Sequence, residues 1–203
     1  MWRYVFIFII SVLFSDNIMA QFTDIEKDII NNGTADVPFR VLLITDETDS
    51  LVLRQKCENI TPVKDNGDLK LLIERLKTTM EVESGVGIAA PQVGISKNVF
   101  IFTRINEPDF PMVAAINPKI VNKPDETVCF ERDGCLSIPE IGGNSVRYPW
   151  VEVEYTNEDG EIVRERLEGY SRAGDYTGIV FQHEYDHLQG IFFIDKLCSI
   201  GEN

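Results

Sequence analysis

Basic residues are scarce in this chain: 19 Lys and Arg stand against 33 Asp and Glu, for a formal net charge of −14. That balance offers no electrostatic footprint for DNA, RNA or an anionic membrane surface, so direct nucleic-acid binding is not expected. Cysteine is sparse as well. Four of them, Cys57, Cys129, Cys135 and Cys198, are spread over 203 residues, which is unlike a disulfide-dense scaffold, and no structural disulfide is expected. There are only two histidines. The chain shows no internal repeat and no low-complexity tract, and no Gly-Lys-Ser/Thr follows its glycine-rich stretch, which argues against a nucleotide loop. What remains is ordinary: 44% hydrophobic content supplies a core of normal size for one domain with an appendage.

The one long apolar run, Tyr4 to Phe14, lies at the N-terminus between Met1-Trp2-Arg3 and Ile18-Met19-Ala20. One positive charge, a run too short to span a bilayer comfortably and a small residue at the end read as a secretory signal cleaved after Ala20. An uncleaved membrane anchor is the alternative. Residues 1–20 are therefore set apart from the fold, and an exported protein, periplasmic or secreted, is expected. Residues 21–38 are polar, contain Asn31-Asn32-Gly33 and keep no sustained period, as a tether or loosely packed lead-in would. The remaining domain is assigned to 39–203.

Within it, Val41 to Ile44 reads as a strand or extended segment, Asp46 to Ser50 as a polar loop, and Ile60 to Asp68 as another loop. Asp68 is a candidate cap for a helix whose apolar residues fall at Leu69, Leu72, Ile73, Leu76 and Met80, ending near Ser84-Gly85. Strands are expected at Val99 to Phe102, Val113 to Ile116, Ile120-Val121 and Val128 to Phe130. Trp150 to Tyr155 turns through Asn157-Glu158-Asp159-Gly160 into Ile162 to Leu167 as a hairpin. Strands gathered between two helices predict an α+β domain rather than alternating βαβ units.

The second helix is the centre of the reading. In Phe181-Gln182-His183-Glu184-Tyr185-Asp186-His187-Leu188-Gln189-Gly190, both histidines stand four apart, so a helix puts them on one face a turn apart, spaced to grip one metal ion. Glu184 sits roughly 100° around the helix from His183, near enough to act as a base beside the metal without ligating it. Apolar neighbours Ile179, Val180, Phe181, Tyr185 and Leu188 mark a core helix, and Gly190 is its natural stop. A surface pair, or core histidines satisfied by hydrogen bonds, is the structural alternative. Two histidines also fall short of the three protein ligands a catalytic site with one open position usually has.

Asp133-Gly134-Cys135-Leu136-Ser137-Ile138-Pro139 offers Cys135 as the best third ligand, a small buried apolar residue being the alternative. Gly85-Val86-Gly87-Ile88-Ala89-Ala90-Pro91-Gln92-Val93-Gly94 is a run of small residues that lets backbone approach a ligand, with Gln92 as a donor to a carbonyl oxygen gaining charge. A tight turn after a helix, with no ligand at all, fits the same run.

Taken together and in this order, the three stretches closely resemble the peptide deformylases, which remove the formyl group from N-terminal formylmethionine. The family pattern Gly-x-Gly-x-Ala-Ala-x-Gln is matched by Gly85, Gly87, Ala89, Ala90 and Gln92. Glu-Gly-Cys-Leu-Ser is matched by Gly134, Cys135, Leu136 and Ser137, with Asp133 at the glutamate position. Gln-His-Glu-x-Asp-His-Leu-x-Gly is matched from Gln182 to Gly190. The resemblance spans about Val41 to Leu197. It departs in Asp133, one methylene short, and in lacking the arginine that many bacterial members carry shortly after the second motif to anchor substrate. Ile141-Gly142-Gly143 follows here, and Arg147 is the nearest candidate.

The resemblance implies a fold of antiparallel strands packed around a central metal-binding helix. It implies Cys135, His183 and His187 as metal ligands, with Fe(II) as the ion and Zn(II) as an alternative occupant. It also implies Glu184 as general base, and Gln92 with the Leu136 backbone N–H as oxyanion donors worth on the order of 3 kcal/mol for one well-placed donor. Gly85, Gly87 and Ile88 would line the groove for an N-formylmethionyl peptide, acted on by a monomer. Two rivals remain at this level: a zincin-like endopeptidase, although no histidine follows His187 to serve as a third ligand, and an exported formyl-peptide-binding protein with weak or no turnover.

Overall fold

The computed structural model describes residues 21–199, so the signal or anchor reading of 1–20 lies outside the described residues. Four helices, α1 (Asp24–Asn31), α2 (Glu47–Leu53), α3 (Gly67–Val82) and α4 (Thr177–His187), accompany seven strands. The strands are β1 (Gly87–Ala89), β2 (Val99–Thr103), β3 (Met112–Asn122), β4 (Val128–Cys135), β5 (Ile138–Arg147), β6 (Trp150–Thr156) and β7 (Ile162–Glu168). One antiparallel sheet runs in the order β1-β2-β3-β6-β7, and β4 and β5 pair as a separate two-stranded ribbon. The domain is α+β, as the sequence pattern predicts.

Strand β2 shows why the fold closes as it does. Every residue of Val-Phe-Ile-Phe-Thr is buried, and alternation sends successive side chains to opposite faces. Val99 and Ile101 join Leu72, Ile73, Leu76 and Met80 of α3 in one core. Phe100 and Phe102 join Val180 and Phe181 of α4 and Leu188 at its end in another, with Val151, Val153 and Tyr155 of β6. The Phe181 ring meets Phe100 edge-on at 4.9 Å and Phe102 at 5.4 Å. Helix α4 is thus buried against the sheet, and truncating such a phenylalanine costs about 3–5 kcal/mol. Gly190 ends the helix at φ +70°. Its N–H donates to His187 O and that of Ile191 to Asp186 O, which satisfies carbonyls of the last turn.

Several expectations need correction. The stretch 21–38 is not a loose lead-in: α1 is capped reciprocally by Thr23 and Glu26, and Phe22 and Ile30 enter the α3 core. Arg75 of α3 donates to the carbonyls of Ile29, Ile30 and Val37. An eight-residue helix buries too few side chains for a period to show. Asp46 to Ser50 is the start of α2, with Asp46 capping through Asp49 N–H. The cap of α3 is Asn66, which accepts from Leu69 N–H at 3.0 Å, whereas Asp68 lies in the first turn and accepts from Asn31. Val41 to Ile44 is not a named strand, yet it is tied down by Leu42 N–H to Gln92 O and Ile44 N–H to Ser137 O. Ile120-Val121 belongs to β3 itself, whose pairing with β6 is interrupted by bulges.

The largest correction concerns the thiols. Cys129 of β4 and Cys198 are joined in a disulfide, because the C-terminal segment folds back along β5, with Cys198 N–H donating to Asn144 O. Sequence spacing gave no sign of that return. Cys57 and Cys135 remain free thiols.

Candidate metal centre and active site

Helix α4 and the end of β4 bring three residues together. One ligand atom each from Cys135, His183 and His187 lies within 4.8 Å of the others, and Cys135 Sγ is 3.2 Å from His187 Nε2. The i, i+4 spacing puts the two imidazoles on one face, and the last residues of β4, Gly134-Cys135, present the thiol to them. A thiolate and two imidazoles are a donor set suited to a divalent transition metal with one position left open.

His183 is oriented by Asp133, whose Oδ1 lies 3.0 Å from Nδ1. An ionised carboxylate only accepts, so Nδ1 carries the proton and Nε2 is left free for a metal. Asp133 also accepts from Ser145 Oγ at 2.5 Å and Arg147 Nη2 at 2.7 Å. Burial would raise its carboxyl, but His183 and Arg147 hold it well below the usual carboxylate range. Arg147 reaches on to Asp186 at 2.6 Å, and Asp186 accepts from Lys196 at 2.6 Å. The chain His183–Asp133–Arg147–Asp186–Lys196 thereby ties the ligand helix to the ribbon. Arg147 is 1% exposed and committed to two carboxylates, so it is not a substrate anchor. The shorter Asp133 still reaches its histidine.

Glu184 is 4% exposed, and its Oε2 has no hydrogen-bond partner among the described residues. Burial pushes its carboxyl up to about 7, a range suited to exchanging a proton near neutrality. His187 is shifted the other way, held neutral by burial and by neighbouring positive groups. Gln92 has a fixed orientation. Its Oε1 accepts from Ala89 N–H at 2.8 Å, which turns Nε2 toward Ser137 Oγ at 3.2 Å and Cys135 Sγ at 3.6 Å.

These groups line a cleft of about 350 Å³, with Gly85, Gly87, Gln92, Cys135, Leu136, His183 and Glu184 among its walls. Of the residues read as substrate-facing, Gly85 and Gly87 are there and Ile88 is not. The Ile88 side chain is fully buried in the α3 core. Gly87 has a role the sequence does not announce, since a Cβ on it would lie 2.3 Å from Glu184 Oε1. β1 is an edge strand, so this wall has backbone available for an extended ligand. Ser145, Arg147 and Asp186 support the site without being read as such in the sequence; for Arg147 and Asp186 the signal is charge placed where apolar neighbours predict burial, and Ser145 carries none.

Comparison with known proteins agrees with this geometry. The family model described as polypeptide deformylase matches residues 40–203. A peptide deformylase of Thermotoga sp. (strain RQ2) is 45% identical over 146 residues, covering 72% of this chain and 81% of the relative. Peptide deformylase 2 of Nostoc sp. is 39% identical over 153 residues, again covering 72% and 81%. The crystal structure of peptide deformylase from Thermotoga maritima superposes with a TM-score of 0.69 at 39% identity, over 80% of this chain and 99% of that one. A Met-Ala-Ser-bound class I type b peptide deformylase from Acinetobacter baumannii gives 0.68 at 30% identity, over 80% and 99%.

Proposed function

The chain belongs to the peptide deformylase family, metal-dependent hydrolases that release formate from N-formylmethionyl peptides, and we propose that its own catalysis rests on Glu184, Gln92 and the Cys135–His183–His187 triad. The observation that carries this is the convergence in one cleft of three ligand atoms within 4.8 Å, a buried unpartnered carboxylate and an oriented side-chain amide.

Cys135, His183 and His187 would hold a divalent ion, which would supply the Lewis acidity that lowers the pKa of water toward neutrality. Glu184 takes the proton as the C–O bond forms at the formyl carbon. Its raised pKa lets it return that proton to the amine nitrogen as the C–N bond breaks. Gln92 Nε2 and the Leu136 N–H donate to the carbonyl oxygen as it gains negative charge. Gly85 and Gly87 keep the wall of the cleft at backbone height, so an extended peptide can approach the centre. The endopeptidase rival loses its footing because the third candidate ligand atom comes from Cys135 at the end of β4, upstream of the helix. The binding-protein rival rested partly on Asp133, which does hold His183.

Fe(II) is proposed as the most active metal, with Zn(II) as the occupant in an oxidising compartment, where a ferrous thiolate site is open to oxidation. Export is supported by the pattern of residues 1–20 and by the Cys129–Cys198 disulfide, a bond that persists in such compartments. There the substrate would be released formyl peptides rather than nascent chains. A monomer that binds no nucleic acid fits the −14 charge. The test is formate release from formyl-Met-Ala-Ser by protein loaded anaerobically with Fe(II) or with Zn(II). Turnover with the iron form faster than the zinc form supports the reading; no formate with either metal refutes it.

A further inference from the structure

The cleft at the metal centre does not end at Gly85. A second depression of about 480 Å³, lined by Met80, Thr103, Ile105, Phe110 and Met112, shares Gly85, Val86, Arg172 and Tyr176 with it. A peptide with its formyl end at the triad therefore has a continuous path past Val86 into this second hollow. Among the described residues, Arg172 is the only lysine or arginine lining either part, whereas Asp133, Glu140, Glu184 and Glu81 contribute carboxylates.

Arg172 is held without being used up. Its backbone N–H donates to Glu131 Oε1 at 2.9 Å and its Nε to Arg132 O at 3.1 Å. The guanidinium carbon lies 5.6 Å from the Phe130 ring centre and 5.7 Å from that of Tyr176. Its two Nη groups make no hydrogen bond to the described residues. A guanidinium steadied along one edge and against two rings, with the other edge open toward a cleft, is arranged for bidentate capture of a carboxylate.

We propose that Arg172 binds a carboxylate downstream of the formylmethionine, so that this enzyme prefers short N-formyl peptides carrying a free C-terminal or acidic side-chain carboxylate. This rests on the deformylase reading and adds the substrate class. In a protein of net charge −14, a lone cation at the junction offsets the repulsion an anionic peptide would otherwise meet.

The experiment compares kcat/KM of the metal-loaded enzyme for formyl-Met-Ala-Ser, its C-terminal amide, and formyl-Met-Ala-Glu amide, at low and high salt. The acid is expected to exceed the Ser amide by about tenfold at low salt, mostly through KM, with the gap narrowing as salt screens it. Arg172→Gln should bring the acid-to-amide ratio close to one, and Arg172→Lys should restore part of it. If the Glu amide matches the acid, side-chain carboxylates are also captured; if it matches the Ser amide, capture is confined to the C-terminus. Equal kcat/KM for acid and Ser amide in the wild type overturns the proposal, as does an Arg172→Gln enzyme that keeps the full ratio while losing activity on both. Absence of formate from every peptide would instead refute the deformylase reading.

Discussion

Glu184 lies against Gly87 so closely that a single added carbon at position 87 would come within 2.3 Å of the carboxylate oxygen. The carboxylate on α4 that we propose as general base is therefore placed by the absence of a side chain on β1. Gly87→Ala is expected to displace Glu184 while leaving the ligands in place. Misplacement by about 1 Å costs roughly a hundredfold, so kcat should fall on that scale with metal content unchanged. Unaltered kcat would mean that the carboxylate has room elsewhere.

Asp133 links His183, a proposed metal ligand, to the buried guanidinium of Arg147. Asp133→Asn removes the charge that fixes the histidine tautomer and leaves Arg147 short of one partner. Metal affinity is expected to drop about 10–100-fold, and stability by roughly 3 kcal/mol, as for breaking a buried pair. Competition with a chelator measures the first and urea unfolding the second. A variant that unfolds normally and holds metal as the wild type does would contradict the role of this chain of contacts.

Cys57 gives a pH dependence of known sign. Burial, reinforced by Glu26, pushes its thiol up to about 12 from an ordinary 9.0. Between those values the unfolded chain has lost a proton that the folded chain keeps, so stability is full below pH 9 and declines as pH rises toward 12. Urea midpoints at pH 7.5 and pH 10.5 should separate more for the wild type than for Cys57→Ala. Equal separations would show that Cys57 does not contribute.

The site was more legible in the sequence than the scaffold. His183 and His187 are spaced by the helix period, so their meeting needs no tertiary information, and Gln92 and Cys135 stand in local motifs. Ile88 misled because neighbouring residues in a strand face opposite ways, and Gly87, not Ile88, takes the cleft side. The Cys129–Cys198 bond and the Arg147 network depend on where the C-terminal segment and β5 lie after folding, and spacing along the chain carries no such information. Helix α1 was hidden by brevity: Ile30 is its one fully buried apolar residue, too little to mark a face. Asp46 and Asn66 show how a single polar residue before a helix is read as loop until its capping bond to the third residue on is seen.

In the proposed mechanism Glu184 moves the proton while Cys135, His183 and His187 hold the metal. These two roles are separated by kcat and metal content of Glu184→Gln measured on the same sample. The side chain keeps its volume and loses its basicity. Wild-type metal stoichiometry is expected, with kcat on formyl-Met-Ala-Ser reduced by about a hundredfold or more; near-normal kcat at full metal content would rule out Glu184 as the base.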